Sequence, residues 1–175
     1  MSGAPAFQRF QVTYRGGLGV EVGIFVAVDH LRRAGRLGID EQLRYVEIED
    51  WFHEHLPDPP FYGDGNSIGA VTWFKPDLPP TMTSRLGELC HLLDAHAVAN
   101  EQVWSTSPGE VVYEDDHQIG VIPAQRSAPT PMPEGLVLGP TTAASKRHLV
   151  ERRSPGQRST APDTSPVGCG GARPG

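Results

Sequence analysis

Four ionisable side chains have the types and spacing to work on a nucleotide-like substrate: Arg15 in "TYRGG", Lys75 in "TWFKP", and Glu114 and Asp116 in "YEDDHQ". Cations at Arg15 and Lys75 would hold phosphate oxygens, and a carboxylate at Glu114 or Asp116 would stabilise positive charge developing on the substrate. A second group suits binding more than reaction. It comprises Phe61, Tyr62 and Asn66 in "PPFYGDGN", with Trp73 and Lys75 in "AVTWFK". Large aromatic side chains anchor contacts, so this segment is the expected surface for a protein partner or a small ligand. His53 and His55 in "WFHEHL" have the chemistry of metal ligands. Two apart on a helix, they point about 200° away from each other and cannot share an ion. Glu49 and His53, four apart, share a helical face in the manner of a surface pair. The sequence therefore assigns no metal site and no cofactor.

Two motifs resemble known families. Arg15 ending a strand, then Ser105, Thr106 and Ser107 in "WSTSPG", then Glu114, follow the order in which ADP-ribosyltransferases carry an Arg, a Ser-Thr-Ser strand and a Glu. This resemblance implies NAD as substrate, Arg15 on its phosphates and Glu114 beside the ribosyl cation. The spacing departs from the family, which places several strands between the Ser-Thr-Ser and the Glu. Gly17, Gly19 and Gly23 resemble a loosened dinucleotide-binding loop between a strand and a helix. Glu21 would put a negative charge beside the pyrophosphate, however, and a helix follows where a parallel strand is required. These glycines are read as turn residues.

The elements that must position these residues follow from periodicity. "FQVTYR" alternates and predicts a strand ended by Gly16 and Gly17. Val20, Ile24, Val28 and Leu31 predict a first helix closed at Gly35, and Tyr45, Ile48, Phe52 and Leu56 a second, capped at Asp40. "LPDPPFYGDGNSIG" predicts irregular backbone and "AVTWFK" a strand, in which Trp73 and Phe74 face opposite sides. Phe61 and Tyr62 are expected to cover the second of those sides. Met82, Leu86, Leu89, Leu93 and Ala97, after Thr81 or Thr83, predict a third helix, and "EVVYEDDHQIGVIP" a hairpin with a solvated acidic tip. A short strand over Val103 to Ser105 joins the same sheet. The expected fold is α+β: three helices packed on one face of a small, largely antiparallel sheet.

Every Trp, Tyr and Phe lies between Phe7 and Tyr113, and the chain beyond Pro123 carries 8 of the 17 prolines. A segment without aromatic area has little to offset ordering entropy. The expected division is a single domain over 1–123 and a disordered tail over 124–175, with weak helical tendency only in "AASKRHLVERR". Up to Pro123 the chain holds 8 basic and 18 acidic side chains, a net charge of −10, while the tail carries +4. An acidic globule is repelled by nucleic-acid phosphates and anionic lipid. The longest apolar run, Val22 to Val28, is far too short to span a bilayer, and nothing marks export. Cys90 in a helical pattern and Cys169 in a Gly-rich stretch form no disulfide framework, which fits a reducing cytoplasm. The general build resembles small bacterial proteins. The expected function is that of a small cytoplasmic binding or accessory protein acting through the "PPFYGDGN" loop, the alternative being an enzyme on a nucleotide-type substrate.

Overall fold

Alternation in "FQRFQVTYR" sends Gln8, Phe10, Val12 and Tyr14 to one face of a nine-residue strand, β1 (Phe7–Arg15), and Phe7, Arg9, Gln11 and Thr13 to the other. In the computed structural model, which describes residues 6–133 and 136, this strand is the spine of an antiparallel sheet of six strands. Along one edge it pairs with β4 (Asn100–Ser105), from Phe7 opposite Ser105 to Val12 opposite Asn100. Its other edge is divided. Toward the C-terminal end it takes β2 (Glu21–Gly23) at Gln11 and Arg15, and at Gln8 it meets Phe74 of β3 (Val71–Phe74). Between those partners the edge is open at Arg9 and Phe10, and there the sheet parts. Beyond β3 the sheet continues through β6 (Gln118–Pro123) to β5 (Gly109–Glu114).

The apolar repeats become α1 (Ile24–Arg33), α2 (Ile39–His55) and α4 (Pro80–Ala95). Their buried faces meet Val12 and Tyr14 in one core holding Val28, Leu31, Ile48, Phe52, Leu86 and Leu89. The architecture is α+β with a fourth helix beyond the expected three, the single turn α3 (Pro60–Gly63) inside the proline-rich loop. Two helix starts also differ. The cap of α2 is Gly38, whose amide donates to Glu41 Oε2 at 2.8 Å, in place of Asp40. In α4, Pro80 takes the first helical position, where its missing N–H costs nothing. The segment from Val20, read as the start of the first helix, instead places Glu21–Gly23 in the sheet as β2.

Phe74 joins the main core, while Trp73 faces the opposite side with Phe7, Leu18 and Val20 around Val71, Ile119 and Val121. The expectation that Phe61 and Tyr62 would cover that opposite side is corrected. Thr72 and Gly120 are register partners and share Phe74's face by alternation. Phe61 lies on Gly120, and the Tyr62 hydroxyl is 2.6 Å from Thr72 Oγ1.

Contacts with the sheet and core continue past the expected boundary at Pro123. Ser127 N–H donates to the Gly19 carbonyl at 2.8 Å, Thr130 Oγ1 accepts from the Arg15 amide at 2.8 Å, and Arg126 Nη2 donates to the carbonyls of Ile68 and Gly69 at 3.1 Å. Met132 packs against the main core. Backbone and polar contacts dock this stretch, so the absence of aromatics does not report it. The remainder of the expected tail, including "AASKRHLVERR", lies outside the described residues. A chain ending at Pro123 is expected to melt about 5 °C or more below one ending at Leu136, since each lost hydrogen bond is worth about 1 kcal/mol. Equal melting curves by scanning fluorimetry would show the docked stretch to be dispensable.

No helix among the described residues is long and apolar enough to cross a membrane. Cys90 is a half-buried free thiol on α4, pushed up to about 11 by burial and by Asp94.

Candidate functional site

Where the edge of β1 parts, a cleft of about 400 Å³ opens between the sheet, α1, α2 and the loop carrying α3. Its walls are mainly apolar, with Phe10, Val22, Phe25, Phe52, Leu56 and Phe74 among them. The polar lining falls into two sets by element. Arg9, Glu21, Tyr62, Asn66, Thr72 and Gln118 come from the sheet and the α3 loop, while Asp29, His30, Tyr45, Glu49 and His53 come from α1 and α2.

Arg9 is the unusual member. Only 7% of it is exposed, yet it hydrogen-bonds uncharged oxygens: Nη1 donates to Gln11 Oε1 at 2.7 Å and Nη2 to the Glu21 carbonyl at 2.6 Å. The Glu21 carboxylate is engaged by Arg15 Nε at 2.9 Å. Among the described residues no carboxylate forms a salt bridge with Arg9. Burial pushes the guanidinium pKa down, opposed by Tyr62 and Glu21. For Tyr62, burial raises the phenol while the hydrogen bond to Thr72 and the Arg9 charge act the other way.

The helix-borne groups have partners of their own. His30 Nδ1 is 3.0 Å from the Tyr14 hydroxyl. Burial lowers the His30 pKa against the pull of Asp29, and burial raises Tyr14 to about 12. Asp29 is held by Arg32 at 2.6 Å and Arg33 at 2.7 Å. Tyr45 donates to Glu49 Oε1 at 2.5 Å, and His53 Nδ1 lies 3.6 Å from Asp58 Oδ2. Glu49 and His53 therefore each turn to another partner. These groups give the cleft imidazole, hydroxyl and carboxylate functions beside its apolar wall.

The residues singled out from the sequence divide among several places. Lys75 is tied to Glu114 at 2.7 Å next to Phe74, which pairs with Gln8. Arg15 is tied to Glu21 at the far end of β1. The length of β1 from Gln8 to Arg15, about 23 Å at the rise of a strand, separates the two cations. Asp116 is exposed at the hairpin tip, beside an Asp115 that fastens the turn by accepting from the amides of His117 and Gln118. Burial disfavours the Asp115 charge, but those amides, the Gln118 side chain and the Tyr113 hydroxyl hold its carboxyl below the usual range. Ser105 and Ser107 line a different hollow of about 310 Å³ with Trp73 and Gln125. Arg15, Ser105 and Glu114 thus form no common site.

Of the expected binding group, Tyr62 and Asn66 reach the cleft. Asn66 is also structural: at a φ of 53° its side chain exchanges two 2.8 Å hydrogen bonds with the backbone of Ala70. Phe61 supports the loop from beneath, Trp73 faces the second hollow, and Lys75 is paired away from the cleft. Arg9, His30, Tyr45 and Gln118 were missed. A charged side chain within a strand flanked by Phe7 and Phe10 was the signal available for Arg9. No protein family, curated protein or solved structure matches this chain.

Proposed function

We propose that this protein binds a small, largely apolar molecule in the cleft bounded by β1, α1, α2 and the α3 loop. The supporting observation is the opening itself: about 400 Å³ of space at the parted edge of β1, with apolar walls and a few convergent polar groups. Ligand pockets have this size and this composition. The "PPFYGDGN" loop contributes through Tyr62 and Asn66, and burial of the ligand's apolar surface would supply most of the affinity. The helix-borne polar groups, already bonded to partners of their own, act as walls in this role.

The neutral fluorophore N-phenyl-1-naphthylamine tests this. It is expected to bind saturably at one site per chain. Val26 is a half-buried residue of α1 lining the cleft, and Val26→Trp should weaken that binding at least about tenfold, as expected when a pocket is filled. Trp104 is 53% exposed on β4, and Trp104→Ala should leave the affinity unchanged. Unsaturable fluorescence, or affinity indifferent to Val26→Trp, would overturn the proposal.

A further inference from the structure

We infer that the cleft selects molecules bearing a single negative charge on an apolar body, a monocarboxylate being the fitting class, with Arg9 as the anchoring cation. This rests on the cleft being a ligand site and specifies what it takes.

The guanidinium presents five N–H donors in a rigid fork. Two hydrogen bonds hold it, to Gln11 Oε1 and to the Glu21 carbonyl, and both acceptors are neutral. These bonds fix the orientation of the fork and leave it without a carboxylate in direct contact among the described residues, with Glu21 acting on it only through its field. Moving a charge out of water without a counter-charge in contact is expensive, and an anion bound at the fork would offset that cost. Glu21, the nearest acid of the neighbouring strand, is committed to Arg15. A carboxylate matches the fork geometrically and gains twofold hydrogen bonding in a site shielded from water.

The surrounding charges set the size of the ligand's charge. Among the described residues Arg9 is the one Arg or Lys lining the cleft, while Glu21, Asp29 and Glu49 line it as acids. Arg15 compensates Glu21, and Arg32 and Arg33 compensate Asp29. A dianion such as a phosphate monoester would meet a single cation in a lining that also holds three acids, whereas a monoanion is balanced by Arg9 alone. Tyr62 and Thr72, bonded to each other at 2.6 Å, add hydroxyl groups to the lining without adding charge. The apolar walls then receive the body of the ligand. Arg9 also lines the second hollow, whose other lining residues include Gln11, Ser105, Ser107 and Gln125. Trp73 is the one aromatic among the described residues of that hollow, against Phe10, Phe25, Phe52 and Phe74 in the larger cleft, which assigns the apolar acid to the larger cleft.

The test is isothermal titration of the full chain with 4-phenylbutyrate, its uncharged amide and phenyl phosphate, alongside the neutral fluorophore. The acid is expected to bind at least about tenfold more tightly than the amide, and more tightly than phenyl phosphate at a pH where the latter is a dianion. Arg9→Gln should abolish the preference for acid over amide while the fluorophore still binds, which reports an intact cleft. Arg9→Lys should retain part of the preference, keeping the charge and losing the fork. Val26→Trp should weaken the acid along with the fluorophore. No preference for the acid in the natural chain, a preference that survives Arg9→Gln, or acid binding indifferent to Val26→Trp would overturn the inference. The acid and amide comparison on the natural chain decides the matter even if Arg9→Gln does not fold. Fluorophore binding with no acid preference rejects only the anion site, whereas loss of saturable fluorophore binding rejects the cleft reading itself.

Discussion

Leu89→Ala is expected to lower the unfolding free energy by about 2–5 kcal/mol, and Trp73→Ala by about half as much. Leu89 is fully buried on α4, in the cluster that joins the helices to Val12 and Tyr14 of β1. Truncating it removes apolar area and leaves a hole that neighbours on three helices must collapse to fill. Trp73 is larger, but it is half-buried and lies in the smaller cluster around Val71, Ile119 and Val121. Solvent already reaches part of the ring, so less transfer energy is lost and less cavity is created. Urea unfolding of both variants measures the difference. A larger loss for Trp73→Ala would mean that the second face of the sheet carries the main core.

The two residues also show what the amino-acid pattern reveals. Alternation in "AVTWFK" establishes that Trp73 and Phe74 face opposite sides, and the 3.6-residue repeat places Leu89 on a buried stripe; both hold in the structure. Which strand face the helices cover depends on contacts between distant segments, and no local pattern contains that. The same limit hid β2. Val20 and Ile24 continue the helical repeat of α1, so the short strand Glu21–Gly23 is recognisable only from its pairing with Gln11 and Arg15. It hid the cleft as well, because the opening exists only where β2 and β3 leave Arg9 and Phe10 unpaired on one edge of β1. Motif reading favoured Arg15, Lys75, Glu114 and Asp116, charges at element ends and turns. There they find ion-pair partners or solvent, whereas Arg9, which has no salt bridge among the described residues, sits mid-strand.

Gly120→Val is expected to destabilise the fold by about 1–3 kcal/mol, the usual range for overpacking, and to weaken binding in the cleft as well. A Cβ at this position would lie within van der Waals overlap of the Phe61 ring, 2.8 Å from Cζ, and 3.2 Å from Tyr113 Cβ. Phe61 has little room to yield. It is 8% exposed, its centroid is 4.5 Å from that of Tyr62, and it meets Tyr113 edge-on at 6.4 Å. Its carbonyl also accepts from the Asn66 amide at 2.8 Å, so displacing it disturbs the loop that brings Tyr62 and Asn66 to the cleft. Stability and fluorophore affinity should therefore fall together, although position 120 is absent from the cleft lining. Phe61→Ala in the same chain removes the obstructing ring. In that background Gly120→Val should lose most of its effect on stability, giving the non-additivity expected of residues in direct contact. Strict additivity in this cycle would mean that the glycine is required by something other than the ring seated on it.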